Sequence, residues 1–366
     1  MRIPIVNLKP SLEETKVDWQ GRLDALYERG FFILGSEVES FEQSFAAAMG
    51  AKFSIGVSSG STAIEVCLRD AGIRGEVLTS ALTAPFTAVS ILAAGAKPRF
   101  ADIDPDSLQV DANDMGNRIG KKTESLVPVH LYGQACRIDR IVRLNEKLCV
   151  VQDACQSHGA TFKGSAFTDF SPYVAYSFYP TKNLGCLGDG GAVVTNGPKR
   201  AARLRQIRDG GRGSGGLPNN QIAFVPGINA RLDELQCCYL NAFLPRLEGW
   251  NAKRRRLAQI YDEMLAGTAG LRIVTRDPES VCHLYVIRAE ERDRLRGYLA
   301  ERGIGTGIHY PVPLHLHPAF ESKLKKGDLP HAELAAKEIL SLPMWPQLTE
   351  DQVREVAEGV NDFYRS

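Results

Sequence analysis

Two side chains that could do covalent and acid–base chemistry lie in the middle of the chain. Asp153 directly follows the apolar run 148–152, and Lys182 lies in the loop 177–185, whose sequence is SFYPTKNLG. Small and apolar neighbours remove water from a lysine, which lowers the pKa of its amine and exposes a nucleophilic lone pair. Ser177 precedes this lysine by five positions and could bind a phosphate. Taken singly, Asp153 is more typical of a helix N-cap and Lys182 of a solvated loop.

A third segment, 58–63 (SSGSTA), combines small and hydroxyl side chains at the start of a predicted helix. Free N–H groups and the helix dipole make such a start an anion site, although Ser59 or Ser61 could equally be a plain N-cap. Pyridoxal 5′-phosphate needs a lysine for its aldehyde, an acidic partner for its pyridine nitrogen and donors for its phosphate. The three segments together meet those requirements, so we expect this cofactor.

The elements that must position these residues alternate between strand and helix from about residue 53 to 196. The predicted helices are Ser59–Ala71, Phe86–Ala94 and Asp139–Lys147. The predicted strands are Glu76–Leu78, Lys97–Ile103, Leu126–Tyr132, Leu148–Gln152, Val174–Phe178 and Ala192–Thr195. This alternation predicts an α/β fold with an open, mostly parallel sheet. Ligands of such sheets bind at the carboxyl ends of the strands, where Asp153 is expected.

The pattern changes after residue 230. A long helix is predicted over Arg231–Leu265, with a break at Pro245. Shorter elements follow, namely the strands Val281–Ile287 and Gly305–His309 and the helices Arg292–Arg302 and Glu350–Tyr364. We therefore predict a large sheet domain over residues 1–246 and a smaller C-terminal α+β domain over residues 247–366.

Composition excludes several classes of partner. The 366 residues are 44% hydrophobic, and 44 basic against 43 acidic side chains give a net charge of +1. This balance provides no field for nucleic acid or for an anionic membrane. The first fourteen residues contain no apolar signal segment, and no run approaches the roughly 18 apolar residues of a membrane span. We expect a soluble cytoplasmic protein.

Other conspicuous residues have structural explanations. The eight cysteines form no C-x-x-C pair and are expected to be buried free thiols of a reducing compartment. The basic run 253–256 is expected to be a solvated helix face rather than a grip for a diphosphate. The glycine-rich stretch 209–216 is expected to be a mobile active-site loop. His315 and His317 lie beside prolines, and we assign no metal site.

Longer motifs resemble one family. The chain is similar to the DegT/DnrJ/EryC1/StrS sugar aminotransferases, which have the aspartate-aminotransferase (type I) pyridoxal-phosphate fold. The resemblance runs nearly end to end. It is carried by GFFILGSEVESFEQSFA, VSSGSTA, GAKPRFADIDPDSLQVD, VPVHLYGQ, VQDACQSHGA, SFYPTKNLGCLGDGGAVVTN, GINARLDELQ, CHLYVIR, GIHYPVPLHLHPAF and LSLPMWPQLTE.

The resemblance implies roles for individual residues. The implied cofactor-binding residues are Gly60, Ser61, Asp153, Gln156, Ser177, Lys182 and Asn229. Lys182 would be the catalytic residue, forming the Schiff base and then moving a proton between substrate and cofactor. Asp153 would pair with the pyridine nitrogen, and Gln156 would lie near the 3-hydroxyl of the ring. Gly60, Ser61 and Ser177 would bind the phosphate.

The resemblance also implies a homodimer with shared sites. Asn229 would reach the phosphate in the neighbouring subunit, and Arg231, His309 and Tyr310 would line the partner's substrate pocket. Two departures from the family pattern are visible. Ser61 stands where many relatives have threonine, and the segment TSALTAPFTA lacks the aromatic residues of many relatives. Phe86, in that segment, is therefore not assigned to the site.

The implied reaction moves an amino group from L-glutamate to a nucleotide-linked keto sugar. RLDELQ, GWNAKRR, CHLYVIR and GIHYPVPLHLHPAF most resemble members that act at C-3′ of a 3-keto-6-deoxyhexose. The alternatives are a 3-keto N-acetyl uronic acid, a C-4′ keto sugar or a cyclitol as acceptor. A sugar dehydratase is disfavoured because those relatives replace the lysine with histidine. A non-catalytic pyridoxal-phosphate-binding regulator is the alternative of a different class.

Overall fold

The computed structural model describes residues 2–213 and 221–365. Its strands form two β-sheets. The strands are β1 (Phe53–Val57), β2 (Glu76–Ser80), β3 (Lys97–Ala101), β4 (Thr123–Val127), β5 (Cys149–Asp153), β6 (Tyr173–Ser177), β7 (Gly191–Thr195), β8 (Leu271–Ile273), β9 (Tyr285–Ala289) and β10 (Ile339–Leu342).

Helices surround both sheets. They are α1 (Lys9–Glu14), α2 (Lys16–Arg29), α3 (Ser36–Ala48), α4 (Gly60–Asp70), α5 (Pro85–Ala93), α6 (Ala112–Asn117), α7 (Ile138–Ile141), α8 (Pro198–Arg208), α9 (Glu234–Phe243), α10 (Leu247–Leu265), α11 (Arg292–Glu301), α12 (Pro330–Glu338) and α13 (Glu350–Arg365).

The large sheet has seven strands in the order β1-β7-β6-β5-β4-β2-β3. Strand β7 runs antiparallel to both of its neighbours, and the other pairs are parallel. Every residue of β6 and β7 is buried, as expected for a sheet that is covered on both faces. The predicted mostly parallel α/β sheet is confirmed.

Strand register brings the candidate segments to one edge of this sheet. Gly191, at the start of β7, pairs with Val57 at the end of β1 and with Ser177 at the end of β6. Asp153, the last residue of β5, pairs with Ala175, two residues before the end of β6. The residues that follow β1, β5 and β6 therefore emerge side by side.

The small sheet is antiparallel, with the order β10-β9-β8. Helix α10 contacts both cores: Leu247 and Trp250 pack with the large-sheet core, and Leu257 and Tyr261 pack with the small-sheet core. The division between residues 246 and 247 stays a prediction, and it coincides with the start of α10.

The predicted long helix is interrupted at Pro245, as expected. A 3₁₀ turn over Leu244–Arg246 separates α9 from α10. Helix α9 begins at Glu234 rather than at Arg231, because the backbone just before Glu234 is extended. Arg231 forms a β-bridge with Val57, and Asp233 forms another with Ile33.

Other predicted boundaries were wrong. The helix expected over Asp139–Lys147 is reduced to α7, because Asn145 accepts a hydrogen bond from the Lys147 amide and closes a turn instead. The strand expected over Gly305–His309 is a single bridge between Gly307 and Ser341.

Burial corrects two expectations about polar residues. All eight cysteines are free thiols, but Cys149 and Cys155 are half-buried rather than buried. Of the basic run 253–256, Lys253 and Arg256 are exposed, whereas Arg254 is buried. The expected solvated face was therefore wrong for Arg254. In the described part of the chain, no helix is long and apolar enough to cross a membrane.

Candidate active site

The loop that carries Lys182 is a compact turn after β6. The Lys182 amide donates to the Tyr179 carbonyl (2.9 Å), and the Cys186 amide donates to the Phe178 carbonyl (2.8 Å). A Cβ on Gly185 would lie 2.5 Å from the Pro180 carbonyl oxygen, so only glycine fits there. The glycine and proline that flank the lysine in the sequence therefore fold the loop back on itself.

The amine of Lys182 is an unpaired cation in a half-buried position. Burial lowers its pKa, and the negative charge of the nearby Asp153 carboxylate opposes that shift. Within residues 2–213 and 221–365, no hydrogen-bond or ion-pair partner contacts this amine. A lysine in this state is easier to deprotonate and a better nucleophile than a solvated one.

Asp153 is a buried carboxylate whose hydrogen-bond donors are uncharged. Its side chain is only 4% exposed, and its two oxygens accept from neutral donors. The Thr87 hydroxyl donates to Oδ2 (2.8 Å), and the Cys155 amide donates to Oδ1 (3.1 Å). No lysine or arginine of the described residues forms an ion pair with it. A buried anion of this kind is costly unless a ligand brings the positive charge.

The start of α4 lies against the end of β6. A Cβ on Gly60 would be 2.5 Å from the Ser177 Cβ and 2.8 Å from the Cys155 Sγ, so the helix reaches this position only without a side chain. The N-cap Ser59 accepts from the Thr62 amide (3.1 Å). The structure therefore brings the predicted phosphate donors Gly60 and Ser177 together at a helix N-terminus.

Gln156 is fixed at the same place by two hydrogen bonds. Its Oε1 accepts from the Tyr132 amide (2.8 Å), and its Nε2 donates to the Tyr310 hydroxyl (3.1 Å). Burial raises the pKa of Tyr310 to about 12, so its hydroxyl keeps its proton at neutral pH.

His309 lies beside Lys182 of its own chain. Burial and then the Lys182 charge lower the pKa of His309 to about 4, so the ring is neutral. Its Nδ1 pairs with the Ser341 hydroxyl (2.8 Å), and its carbonyl accepts from the Tyr132 hydroxyl. His309 and Tyr310 therefore contact Ser341, Tyr132 and Gln156 of their own chain, and the expectation that they line the partner's substrate pocket stays a prediction.

Arg231 and Asn229 lie on the segment that precedes α9, and Arg231 bridges to Val57 at the end of β1. Arg231 pairs with Asp209 (2.9 Å), which also pairs with Arg212 (2.6 Å). Asn229 is exposed and forms a β-bridge with Asp209. The expected mobile loop 209–216 lies partly outside the described residues, and its described part holds the guanidinium of Arg231 in place.

Comparison with known proteins identifies the family. Residues 13–361 match the sequence model of the DegT/DnrJ/EryC1/StrS aminotransferase family. The chain belongs to this aminotransferase family. The match covers both sheets and every candidate site residue, and it confirms the resemblance inferred from the motifs.

Individual relatives cover the full length of this aminotransferase. A "pleiotropic regulatory protein" of Geobacillus stearothermophilus is 40% identical, covering 100% of this chain and 99% of the relative. A "dTDP-3-amino-3,4,6-trideoxy-alpha-D-glucose transaminase" of Streptomyces venezuelae is 38% identical, covering 99% and 96%. The crystal structure of S. venezuelae DesV in complex with a ketimine intermediate has a TM-score of 0.95 at 38% identity, covering 100% and 99% of the two chains. These likenesses confirm the fold.

The aminotransferase site contains residues that sequence reasoning missed. Thr87, on the first turn of α5, holds Asp153, and Cys155 lies between Asp153 and Gly60. A hydroxyl residue in the otherwise apolar helix PFTAVSILA was the available signal for Thr87. Phe86, which was left out of the site, is 65% exposed.

The donor set fits pyridoxal phosphate. Asp153 is a buried anion that forms no ion pair with the described residues, and Lys182 is an amine with a lowered pKa. Gly60 lets the N-terminus of α4 pack directly against Ser177, and the free amides of this helix start attract an anion. These three groups supply what the ring nitrogen, the aldehyde and the phosphate of this cofactor require.

Proposed function

We propose that this aminotransferase moves an amino group from L-glutamate to C-3′ of a nucleotide-linked 3-keto-6-deoxyhexose, with pyridoxal phosphate held at Lys182. The proposal is carried by the buried Asp153 carboxylate and the nearby Lys182 amine, neither of which forms an ion pair within residues 2–213 and 221–365. The 38% identity to an enzyme named as a 3-amino-trideoxyglucose transaminase supports the choice of acceptor.

Four groups of the chain would hold the cofactor. When bound, pyridoxal phosphate supplies an aldehyde that takes up amines and a ring that accepts electrons. Asp153, kept in place by Thr87, would keep a proton on the ring nitrogen. The amides at the start of α4, with Gly60 and Ser61, and the Ser177 hydroxyl would donate to the phosphate.

Lys182 would be the residue that moves the proton. Its lowered pKa increases the neutral fraction of the amine, which can then accept a proton from the substrate carbon and return it. Gln156 and Tyr310, which are bonded to each other at 3.1 Å, would orient the ring through its 3-oxygen. The protonated Tyr310 hydroxyl acts as a donor, because its pKa is raised to about 12 by burial.

Two further groups would bind the substrates. Arg231 offers a planar cation for the carboxylate of glutamate or for sugar-phosphate oxygens, and it would exchange its Asp209 partner for either. His309 bonds Ser341 through Nδ1, so Nε2 is left for a substrate oxygen. Both substrates would use one pocket in turn.

We further propose that the protein is a homodimer in the cytoplasm, with Asn229 reaching the partner's phosphate site. The exposed aromatic side chains offer apolar surface that a second subunit could cover: Tyr27, Phe31, Phe32, Tyr179 and Phe224. Eight free thiols suit a reducing compartment. Sedimentation of the holoprotein at micromolar concentration should give the mass of two chains, and a monomer with full activity would contradict the shared site.

The decisive experiment measures the two half-reactions separately. Purified holoprotein mixed with L-glutamate alone should release one 2-oxoglutarate per site and lose the visible absorbance of lysine-bound cofactor. Lys182→Ala should lack that absorbance and lower turnover by about 10³-fold or more, because both the covalent link and the base are removed. Lys163→Ala, which removes an exposed lysine paired with Asp139, is the matched control. Turnover that persists in Lys182→Ala would overturn the mechanism.

The acceptor is tested with the pyridoxamine form. A nucleotide-linked 3-keto-6-deoxyhexose should restore the visible absorbance faster than a 3-keto N-acetyl uronic acid, a 4-keto sugar or a cyclitol. A faster response to one of those three compounds would replace the proposed acceptor.

A regulatory role is the second candidate, because a relative with 40% identity is named a pleiotropic regulatory protein. The regulatory role predicts that the protein binds the cofactor but releases no 2-oxoglutarate from glutamate. The net charge of +1 provides no overall attraction to nucleic acid, so it does not support regulation by nucleic-acid binding.

A further inference from the structure

Four buried polar side chains lie next to the candidate site and have no role in the mechanism above. They are Asn183, Asn251, Arg254 and His283, and they are 4%, 2%, 3% and 6% exposed. They come from three different parts of the chain: the lysine loop, helix α10 and the segment before β9. Most buried polar groups in folded proteins are hydrogen-bonded, so the contacts of these four side chains are informative.

Asn251 connects the two halves of the candidate site. Its Nδ2 donates to the His158 carbonyl (2.8 Å), in the segment that begins at Asp153. Its Oδ1 accepts from Nδ2 of Asn183 (2.8 Å), the residue directly after Lys182. A single side chain thus ties together the backbone on the Asp153 side and the loop on the Lys182 side.

Asn183 is fixed in one orientation. Its Nδ2 also donates to the Val281 carbonyl (2.9 Å), so its Oδ1 must be the atom that faces Nδ1 of His283 (3.1 Å). Burial and then the charges of Lys182 and Arg254 hold the pKa of His283 well below its ordinary value. A neutral His283 that donates from Nδ1 is the state that fits this contact.

Helix α10 is itself anchored one turn further on. Arg254 donates to the carbonyls of His283 (3.2 Å) and Met344 (3.2 Å), which belong to the small-sheet side of the molecule. Gly159 has φ +82°, and a Cβ there would be 3.1 Å from Nδ2 of Asn251. The backbone after Asp153 therefore approaches Asn251 closely, and little space is left for adjustment.

We propose that Asn251 is a positioning residue that sets the placement of Lys182 relative to Asp153. Proton transfer and ring binding both depend on that placement, since displacements of about 1 Å in an active site can cost 10²-fold in rate. Asn251 bonds neither Lys182 nor Asp153. It acts through Asn183 and the His158 carbonyl. The effect of Asn251 on catalysis rests on the proposed function. Its effect on the loop that carries Lys182 does not.

The test compares Asn251→Ala and Asn251→Asp with Asn361→Ala. Asn361 is a matched control, because its side chain also accepts one hydrogen bond and donates another. It accepts from the Thr268 hydroxyl (2.7 Å) and donates to the Met264 carbonyl (2.9 Å), away from the site. Asn251→Asp keeps the acceptor for Asn183 and loses the donor to His158. It is the variant to use if Asn251→Ala does not fold.

Three readouts are measured on the holoproteins. In Asn251→Ala, the midpoint of the pH titration of the lysine-bound absorbance should shift by about half a unit or more. Its kcat with glutamate should fall by about 10- to 100-fold at a KM that changes by less than about threefold. Hydrogen exchange of the backbone over residues 153–159 and 177–185 should rise. Asn251→Asp should show smaller changes of the same kind, and Asn361→Ala should show none of them.

The two proposals fail in different ways. A wild-type protein without lysine-bound absorbance or glutamate turnover would defeat the proposed function, and hydrogen exchange would still test Asn251. Unchanged exchange, titration midpoint and kcat in a folded Asn251→Ala protein would overturn the positioning role. Equal effects in Asn361→Ala would also overturn it, since they would report general destabilisation.

Discussion

Lys182 and Asp153 carry opposite charges that influence each other, yet they do not form an ion pair. The Asp153 charge opposes the lowering of the lysine pKa, while Asp153 bonds only Thr87 and the Cys155 amide. A direct contact would be expected if the two groups existed to stabilise the fold. The Asp153 carboxylate is therefore available to a positively charged group of a ligand.

Replacement of Gly60 tests whether the cofactor phosphate binds at the start of α4. In Gly60→Ala, the new Cβ would meet Ser177 at 2.5 Å and Cys155 at 2.8 Å, so the start of α4 must move. Because the phosphate donors move with it, the Kd for pyridoxal phosphate should rise by about tenfold or more, which is about 1.4 kcal/mol. Titration of the apoprotein with cofactor measures this Kd.

The control for this substitution is Gly249→Ala. Gly249 lies in α10, and its Cβ would meet nothing within 4 Å. This change should stabilise the helix by up to about 1 kcal/mol and leave the Kd for the cofactor unchanged. An unchanged Kd in Gly60→Ala would show that the phosphate does not bind at the start of α4.

At the scale of elements, strands were predicted best where apolar runs are short and bounded. Strands β5, β6 and β7 were each predicted to within about one residue at either end. The break at Pro245 was also predicted, because proline cannot donate the backbone hydrogen bond that a helix requires.

Elements whose ends depend on distant contacts were predicted poorly. The backbone before α9 is extended because Arg231 and Asp233 bridge to Val57 and Ile33, more than a hundred residues away in the chain. The burial of Arg254 has the same origin, since its partners are carbonyls that only the folded chain brings to α10. Local patterns contain no information about either contact.

At the scale of the whole molecule, buried neutral histidines make stability depend on pH. Burial lowers the pKa of His130 and of His309 to about 4 and that of His158 to about 3. His130 accepts from the Cys136 amide at Nδ1 (3.1 Å), a bond that protonation would break. These rings resist protonation in the folded chain but accept a proton near pH 6.5 when the chain unfolds.

The free energy of unfolding should therefore fall as pH drops below about 6.5. The unfolded chain binds more protons there, so stability rises with pH and each extra proton contributes about 1.4 kcal/mol per pH unit. Urea unfolding of the apoprotein at pH 7.5 and 5.0 measures the change. In His130→Gln the loss between these two pH values should be smaller than in the wild type. Equal losses in the two proteins would contradict the assignment of this proton to His130.

The sequence by itself determined the chemistry and the type of fold. Asp153, Lys182 and the segment around Gly60 follow predictable strands or begin a predictable helix, and the order of elements implies that strand ends meet at one edge of a parallel sheet. Only the tertiary structure decided that Tyr310 bonds Gln156 and that Asn251 bonds both the His158 carbonyl and Asn183. The reason is physical: periodicity reports which face of an element is buried, whereas a contact between distant segments depends on how every intervening element packs.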